Sequence, residues 1–147
     1  MALAKLAVGE SIEVVVDPRE FYVPTGLRVD AGERYRVRGK GRWRDGALAP
    51  CDADGWRRWY ALPLRAWNRL SGVDFFRLCG AVGRSDRCLL AGGREARWEI
   101  PDAAALLAPE LRELYLFAND WPNRYGNNVA LPPQEGGPLR AMLTRSL

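Results

Sequence analysis

The chain is expected to fold as an all-β sandwich, and three observations carry that expectation. Short segments of strand period recur along its 147 residues. Roughly seven or eight of them are separated by turn signals at about 8–12-residue spacing, the pattern of two packed antiparallel sheets. The composition is 48% hydrophobic, enough for a buried core and too apolar for a disordered chain.

The elements follow in order. GESIEVVVDP sets Ile12, Val14 and Val16 on one side against Glu13, Val15 and Asp17, and stops at Asp17-Pro18. FYVPTGLRV turns at Pro24-Thr25-Gly26 and re-enters a strand at Leu27 to Val29, before an Asp30-Ala31-Gly32 turn. ERYRVRGKGRW sends Tyr35, Val37 and Trp43 inward with arginines between them. From Asp45 to Ser71 the alternation is lost, so this reads as a long loop with apolar anchors and at most one short helical turn. VDFFRLCGAVG reads as an apolar strand, GRSD as a hairpin turn and RCLLAGG as its return. REARWEIP aligns Ala96, Trp98 and Ile100; PDAAALLAPELREL reads as a short helix or a loop insertion containing one. ELYLFAND is a strand, LPPQEGGP a loop and LRAMLTRSL the last strand. No repeat or linker divides the chain, so residues 1–147 are expected to be a single domain.

Composition limits the chemistry. Histidine is absent, which removes serine–histidine and cysteine–histidine nucleophiles and the commonest transition-metal ligand. Cys51, Cys79 and Cys88 fit no zinc spacing, though Cys79 and Cys88 could meet across a hairpin. The net charge of +4 is spread out and carried almost wholly by arginine; only Lys5 and Lys40 are lysines. No window is long and apolar enough to span a membrane. The opening MALAKLAVGESIEVVV lacks the apolar run of a signal peptide, so a cytoplasmic protein, or one exported without a recognisable signal, is expected.

One stretch stands out. NDWPNRYGNN, residues 119–128, packs one carboxylate and four asparagines into ten residues after an apolar strand. Asparagine serves turns, and the same short oxygen-bearing side chains also suit a calcium ion, which takes six to eight oxygens from carboxylates, amides and main-chain carbonyls. In the second case Asp120 supplies charge, Asn127 and Asn128 supply neutral oxygens, Gly126 permits the bend, and Arg124 contributes only its main-chain carbonyl. A second acid would have to come from the other polar loop, which holds Asp45, Asp52 and Asp54.

YLFANDWPNRYGNN resembles the calcium-and-sugar loop of the galactophilic bacterial lectins of the PA-IL type, through Asn119, Asp120, Trp121, Pro122, Tyr125, Gly126, Asn127 and Asn128. TGLRVDAGERYRVRGKGRW, PCDADG and FFRLCGAVG are similar to further segments of that family, so the likeness runs from about Thr25 to the end. The resemblance implies a small jelly-roll, galactose-binding-like sandwich. It implies Ca2+ held by the side chains of Asp120, Asn127 and Asn128 and the backbone oxygens of Arg124 and Asp45. Two vicinal hydroxyls of a galactose-like or other sugar would complete the coordination, with Asp120, Asn127, Trp121, Arg124, Asp52 and Asp54 around the sugar. It also implies a homo-oligomer, in keeping with the avidity that several weak sites gain together. The chain departs from the family in carrying Cys51, Asp52 and Asp54 where the family has a histidine and a glutamine, and in inserting VALPPQEGG after Asn128.

Three rival readings carry different expectations. Trp56, Trp59 and Trp67 with Arg57, Arg58, Arg65 and Arg69 would serve a protein-interaction module that kept the sandwich and lost the sugar. RYRVRGKGRWR resembles a stacking surface for single-stranded nucleic acid, but ordinary alternation explains it as a strand with a solvated arginine face, so no nucleic-acid partner is expected. Asp52 with Asp54, or Glu110 with Glu113, have no spacing that singles them out as a catalytic pair, so a non-enzymatic protein is expected.

Overall fold

A computed structural model describes residues 2–56 and 59–147, for 59–61 the backbone alone. Ten strands run β1 Ser11–Val15, β2 Val23–Arg28, β3 Arg34–Lys40, β4 Trp43–Asp45, β5 Leu78–Val82, β6 Leu89–Ala91, β7 Glu95–Glu99, β8 Glu113–Ala118, β9 Asn128–Ala130 and β10 Arg140–Ser146. All pairings between them are antiparallel. One sheet has the order β1-β10-β3-β7 and the other β2-β8-β5-β6, while β4 and β9 form a separate ribbon. Leaving the ribbon aside, successive strands change sheet except at the β5–β6 hairpin, which is the interleaved order of an eight-stranded jelly roll.

The strands of the first sheet alternate as their sequences do. On β3, Tyr35, Val37 and Gly39 are buried while Arg34, Arg38 and Lys40 are exposed. Buried on the same side are Trp98 of β7 and Ala141 and Leu143 of β10. The second sheet reads differently, because both of its faces are covered. Leu78, Val82, Leu114, Leu116 and Ala118 enter the inter-sheet core. Cys79, Ala81, Tyr115 and Phe117 face the other way, against Tyr22, Leu70, Val73 and Leu89. Double-sided burial is why LCGAV and ELYLFA are unbroken apolar runs. Trp98 ties the two sheets together: its Nε1 donates to the Ala91 carbonyl at 2.7 Å, and its ring lies where a Cβ on Gly80 would come within 2.6 Å.

Several expectations are corrected. The turn expected at Pro24-Thr25-Gly26 lies inside β2, which runs through these residues with a register shift between Pro24 and Arg28. The apolar segment from Val73 becomes a strand only at Leu78, since Phe76 takes φ +59° and its N–H donates to the Asn119 carbonyl at 2.7 Å. The loop after Asp45 holds a nine-residue 3-10 stretch, Trp59–Trp67, rather than a single turn. Between β7 and β8 there is no α-helix but two short 3-10 turns, Asp102–Leu106 and Pro109–Leu111. Register sets Cys79 opposite Ala91 and not Cys88, and all three cysteines are free thiols. No described helix is long and apolar enough to cross a membrane.

Candidate functional site

The Asn119–Asn128 segment leaves the end of β8 and returns as β9, which pairs with β4 so that Asp45 stands opposite Asn128. Two devices fix its course. Asn119 is fully buried and acts as a clasp: its Oδ1 accepts the Leu70 N–H at 2.9 Å, and its Nδ2 donates to the carbonyls of Leu70 and Val73, both at 3.1 Å. Tyr125 is buried and donates its hydroxyl proton back to the Ala118 carbonyl, closing the loop on itself. The sharp backbone bend lies across the site, not at Gly126: Gly46 takes φ +52° and donates its N–H to the Asn127 carbonyl at 2.9 Å, while Gly126 lies outside the positive-φ region.

Below the loop is Arg69, whose side chain has 0% exposure. Its guanidinium lies 3.5 Å from the Phe21 ring centre and 3.7 Å from that of Phe117. It pairs with Asp86 at 2.8 Å and donates to the Tyr125 hydroxyl at 3.2 Å. Arg69 therefore does not belong to an exposed arginine–tryptophan surface. Arg65 is likewise tied to Asp74 at 2.8 Å. Arg57 and Arg58 lie outside the described residues, as does the Trp59 side chain.

Asp120 is only 2% exposed. Its Oδ1 accepts the Trp121 N–H at 2.7 Å, but its Oδ2 is buried without a hydrogen-bond partner. Asn128 is 3% exposed; its Nδ2 donates to the Pro18 carbonyl at 2.8 Å, which fixes the amide and leaves its buried Oδ1 unpartnered. Two orphaned oxygens so close in sequence are costly in the absence of a cation or donor. Burial pushes the Asp120 carboxyl up to about 6, and the charge of Asp45 adds to this, against the Trp121 N–H, the neighbouring Asn128 amide and the Arg124 cation. Burial also raises the Asp45 carboxyl, with Arg124 opposing. Asp45 thus brings a second carboxylate into the field of the first, the one of the three acids offered by the other polar loop that does so. The Asp45 main-chain oxygen accepts the Leu48 N–H at 2.9 Å.

Asp45, Asp120, Arg124 and Asn127 line one side of a cleft of about 280 Å³. Its other walls are Leu48, Trp56, Leu64, Phe75 and Trp121, most of them drawn from the loop that showed no periodicity. Trp121 is both wall and anchor, since its Nε1 donates to the Leu64 carbonyl at 3.3 Å and its ring meets Trp67 edge-on at 5.7 Å. Arg124 extends over the Trp121 ring at 5.5 Å.

Asp52 and Asp54 do not join this cleft. Asp52 Oδ1 accepts the Asp54 N–H at 2.9 Å, and Asp54 Oδ1 accepts the Arg94 N–H at 2.8 Å. They close their own turn onto the start of β7, and Asp54 lines a different groove with Arg38, Lys40 and Arg94. Among the described residues there is no cluster of three or more His, Cys, Asp or Glu side chains, so any metal at this site would depend on amide and main-chain oxygens. Two carboxylates, two amides and nearby carbonyls are all hard oxygen donors and fit calcium chemistry.

No protein-family model matches the chain, and no curated protein sequence matches it. Among solved structures the chain is similar to one described as "EclA N-terminal domain; PllA-like lectin", with TM-score 0.58 and 19% identity, over 92% of this chain and 95% of that one. At this identity the likeness establishes the β-sandwich fold alone.

Proposed function

We propose that the chain is a non-enzymatic, calcium-dependent carbohydrate-binding protein whose site is the cleft between the β8–β9 loop and the end of β4. The observation that carries this reading is the pair of buried, unpartnered oxygens, Asp120 Oδ2 and Asn128 Oδ1, at a cleft lined by both polar and apolar side chains. Asp120, Asn127 and Asn128 would hold the ion by their side chains, with the Arg124 carbonyl and the Asp45 loop completing the protein ligands. The Asp45 carboxylate supplies the second negative charge that a divalent ion favours. Bound calcium supplies open coordination positions that two adjacent sugar hydroxyls fill together. The chain's own residues do the rest: Asp120 and Asn127 accept or donate hydrogen bonds to those hydroxyls, and the Trp121 wall covers an apolar sugar face. The fold shared with a lectin domain supports the same reading by analogy.

A second reading rests on the rim. Trp67 is 62% exposed, and Leu48 and Leu64 are exposed beside it, an apolar border suited to a protein partner on a sandwich without a sugar. A glycan array run with calcium and again with chelator separates the two. Signals on glycans with vicinal hydroxyls, lost with chelator and in Asp120→Ala, are expected. Sugar binding retained by Asp120→Ala would overturn the assignment, and a blank array with folded, calcium-loaded protein would favour the partner reading.

A further inference from the structure

The two sheets treat their outer faces in opposite ways. The β2-β8-β5-β6 sheet is covered by the long loop, whereas the outer face of the β1-β10-β3-β7 sheet is bare and charged. Its outward positions hold six cations, Arg34, Arg36, Arg38, Lys40, Arg97 and Arg140, against three carboxylates, Glu13, Glu95 and Glu99. Register makes the excess local. Arg36 stands directly opposite Arg97, an arrangement of like charges that disfavours strand pairing, between two opposite-charge positions, Arg34 opposite Glu99 and Arg38 opposite Glu95. Arg36 leans instead on Glu95 at 2.5 Å, a carboxylate that Arg38 reaches only at 3.6 Å. Arg34, Lys40 and Arg97 have no ion-pair partner among the described residues. Arg34, Arg36 and Arg97 border a groove of about 600 Å³ that Glu99, Ser146, Leu147 and the buried residues Tyr35 and Trp98 also line. Alternation alone accounts for an arginine-rich solvated face, but not for Arg36 set against Arg97, a repulsion that an anionic ligand on this face would relieve.

We infer that this face is a second binding surface, for an anionic polysaccharide carrying sulfate groups. Alternate residues of β3 set Arg34, Arg36, Arg38 and Lys40 in a row at intervals of about 6.8 Å, a charged track of about 20 Å. Arginine forks match the oxygens of a sulfate as they do those of a phosphate. Among the described residues no outward side chain of these four strands is aromatic, so the face lacks the stacking platform on which single-stranded nucleic acid depends. A second copy of the same face is excluded as occupant by its own charge. The inference is independent of the Asp120 cleft, which lies at the end of the sandwich and needs calcium.

The test is binding of the whole chain to dextran sulfate, neutral dextran and a single-stranded oligonucleotide, all with chelator present. Dextran sulfate should bind with an affinity that falls steeply with salt, and neutral dextran should not bind. The double variant Arg34→Gln/Arg97→Gln should lose roughly fivefold or more in affinity and flatten the salt dependence. Its melting temperature should not fall, since both side chains are exposed and one like-charge pair is relieved. The control Arg19→Gln/Arg87→Gln removes the same charge elsewhere and should stay within about twofold of the parent. Equal losses in the two doubles, an unchanged Arg34→Gln/Arg97→Gln, or oligonucleotide binding at least as tight as dextran sulfate would overturn the inference.

Discussion

Asp120 concentrates the chemistry of the molecule in one side chain. Its carboxyl, raised from 3.8 to about 6, keeps a proton in the folded chain over a range where the unfolded chain has released it. A carboxyl raised on folding favours the native state when protonated, so stability falls as pH rises from about 4 to about 6 and stays low above that window. Asp45, raised in the same direction, adds to the trend. Asp120→Asn removes the charge but keeps the shape. In chelator at pH 7 it should therefore stabilise the chain, by on the order of 2–3 kcal/mol. Thermal melts of the two proteins should converge near pH 4; a variant that melts lower than its parent at pH 7 would contradict the buried-charge account. The motif made Asp120 legible in the sequence. Which of Asp45, Asp52 and Asp54 brings the second carboxylate was not legible, because that depends on β4 pairing with β9 from far along the chain.

Among the elements, the β8–β9 loop and the long loop after β4 hold one another. Asn119 clasps the Leu70–Val73 turn, and Arg69 supports Tyr125 from beneath. Arg69 shows how little residue type alone reveals. Its sequence setting among tryptophans and arginines suggested an exposed surface, and it is the most enclosed cation of the site's foundation. The reason is that Phe117, on the outer face of the second sheet, and Phe21, just before β2, offer rings that accept a guanidinium between them. Asp86→Ala leaves that guanidinium buried without its counter-ion and should cost about 3 kcal/mol. Arg69→Met should cost less, because a flexible thioether fills an aromatic slot and Asp86 remains partly solvated, with the Tyr22 hydroxyl as donor at 2.7 Å. Urea unfolding compares them; a larger loss in Arg69→Met would show that the cation anchors the loop by more than its ion pair.

For the whole molecule, a site assembled from loops predicts a strong linkage between metal and stability. Calcium at about one hundred times its dissociation constant should add about 2.7 kcal/mol. For a chain of this size that corresponds to a rise in melting temperature of roughly 5–10 °C. Differential scanning calorimetry with calcium and with chelator measures it, and an absent shift would remove the metal from the proposed function. Strand positions were legible in the sequence wherever one face of a strand meets water, as in SIEVV, RYRVRGK and EARWE, because alternation records a single buried side. They were less legible in Val73–Val82, where both faces are buried and alternation vanishes, so the strand's late start at Leu78 left no trace. The sequence alone determined the antiparallel sandwich and the oxygen-rich loop, since these rest on local period and on short polar side chains after an apolar run. Only the tertiary structure decided that Asp45 faces the cleft while Asp52 and Asp54 close their own turn, that Arg69 is enclosed, and that one sheet leaves an arginine face bare. Each of these depends on contacts between segments far apart in the chain, and no local pattern encodes which distant partner will arrive.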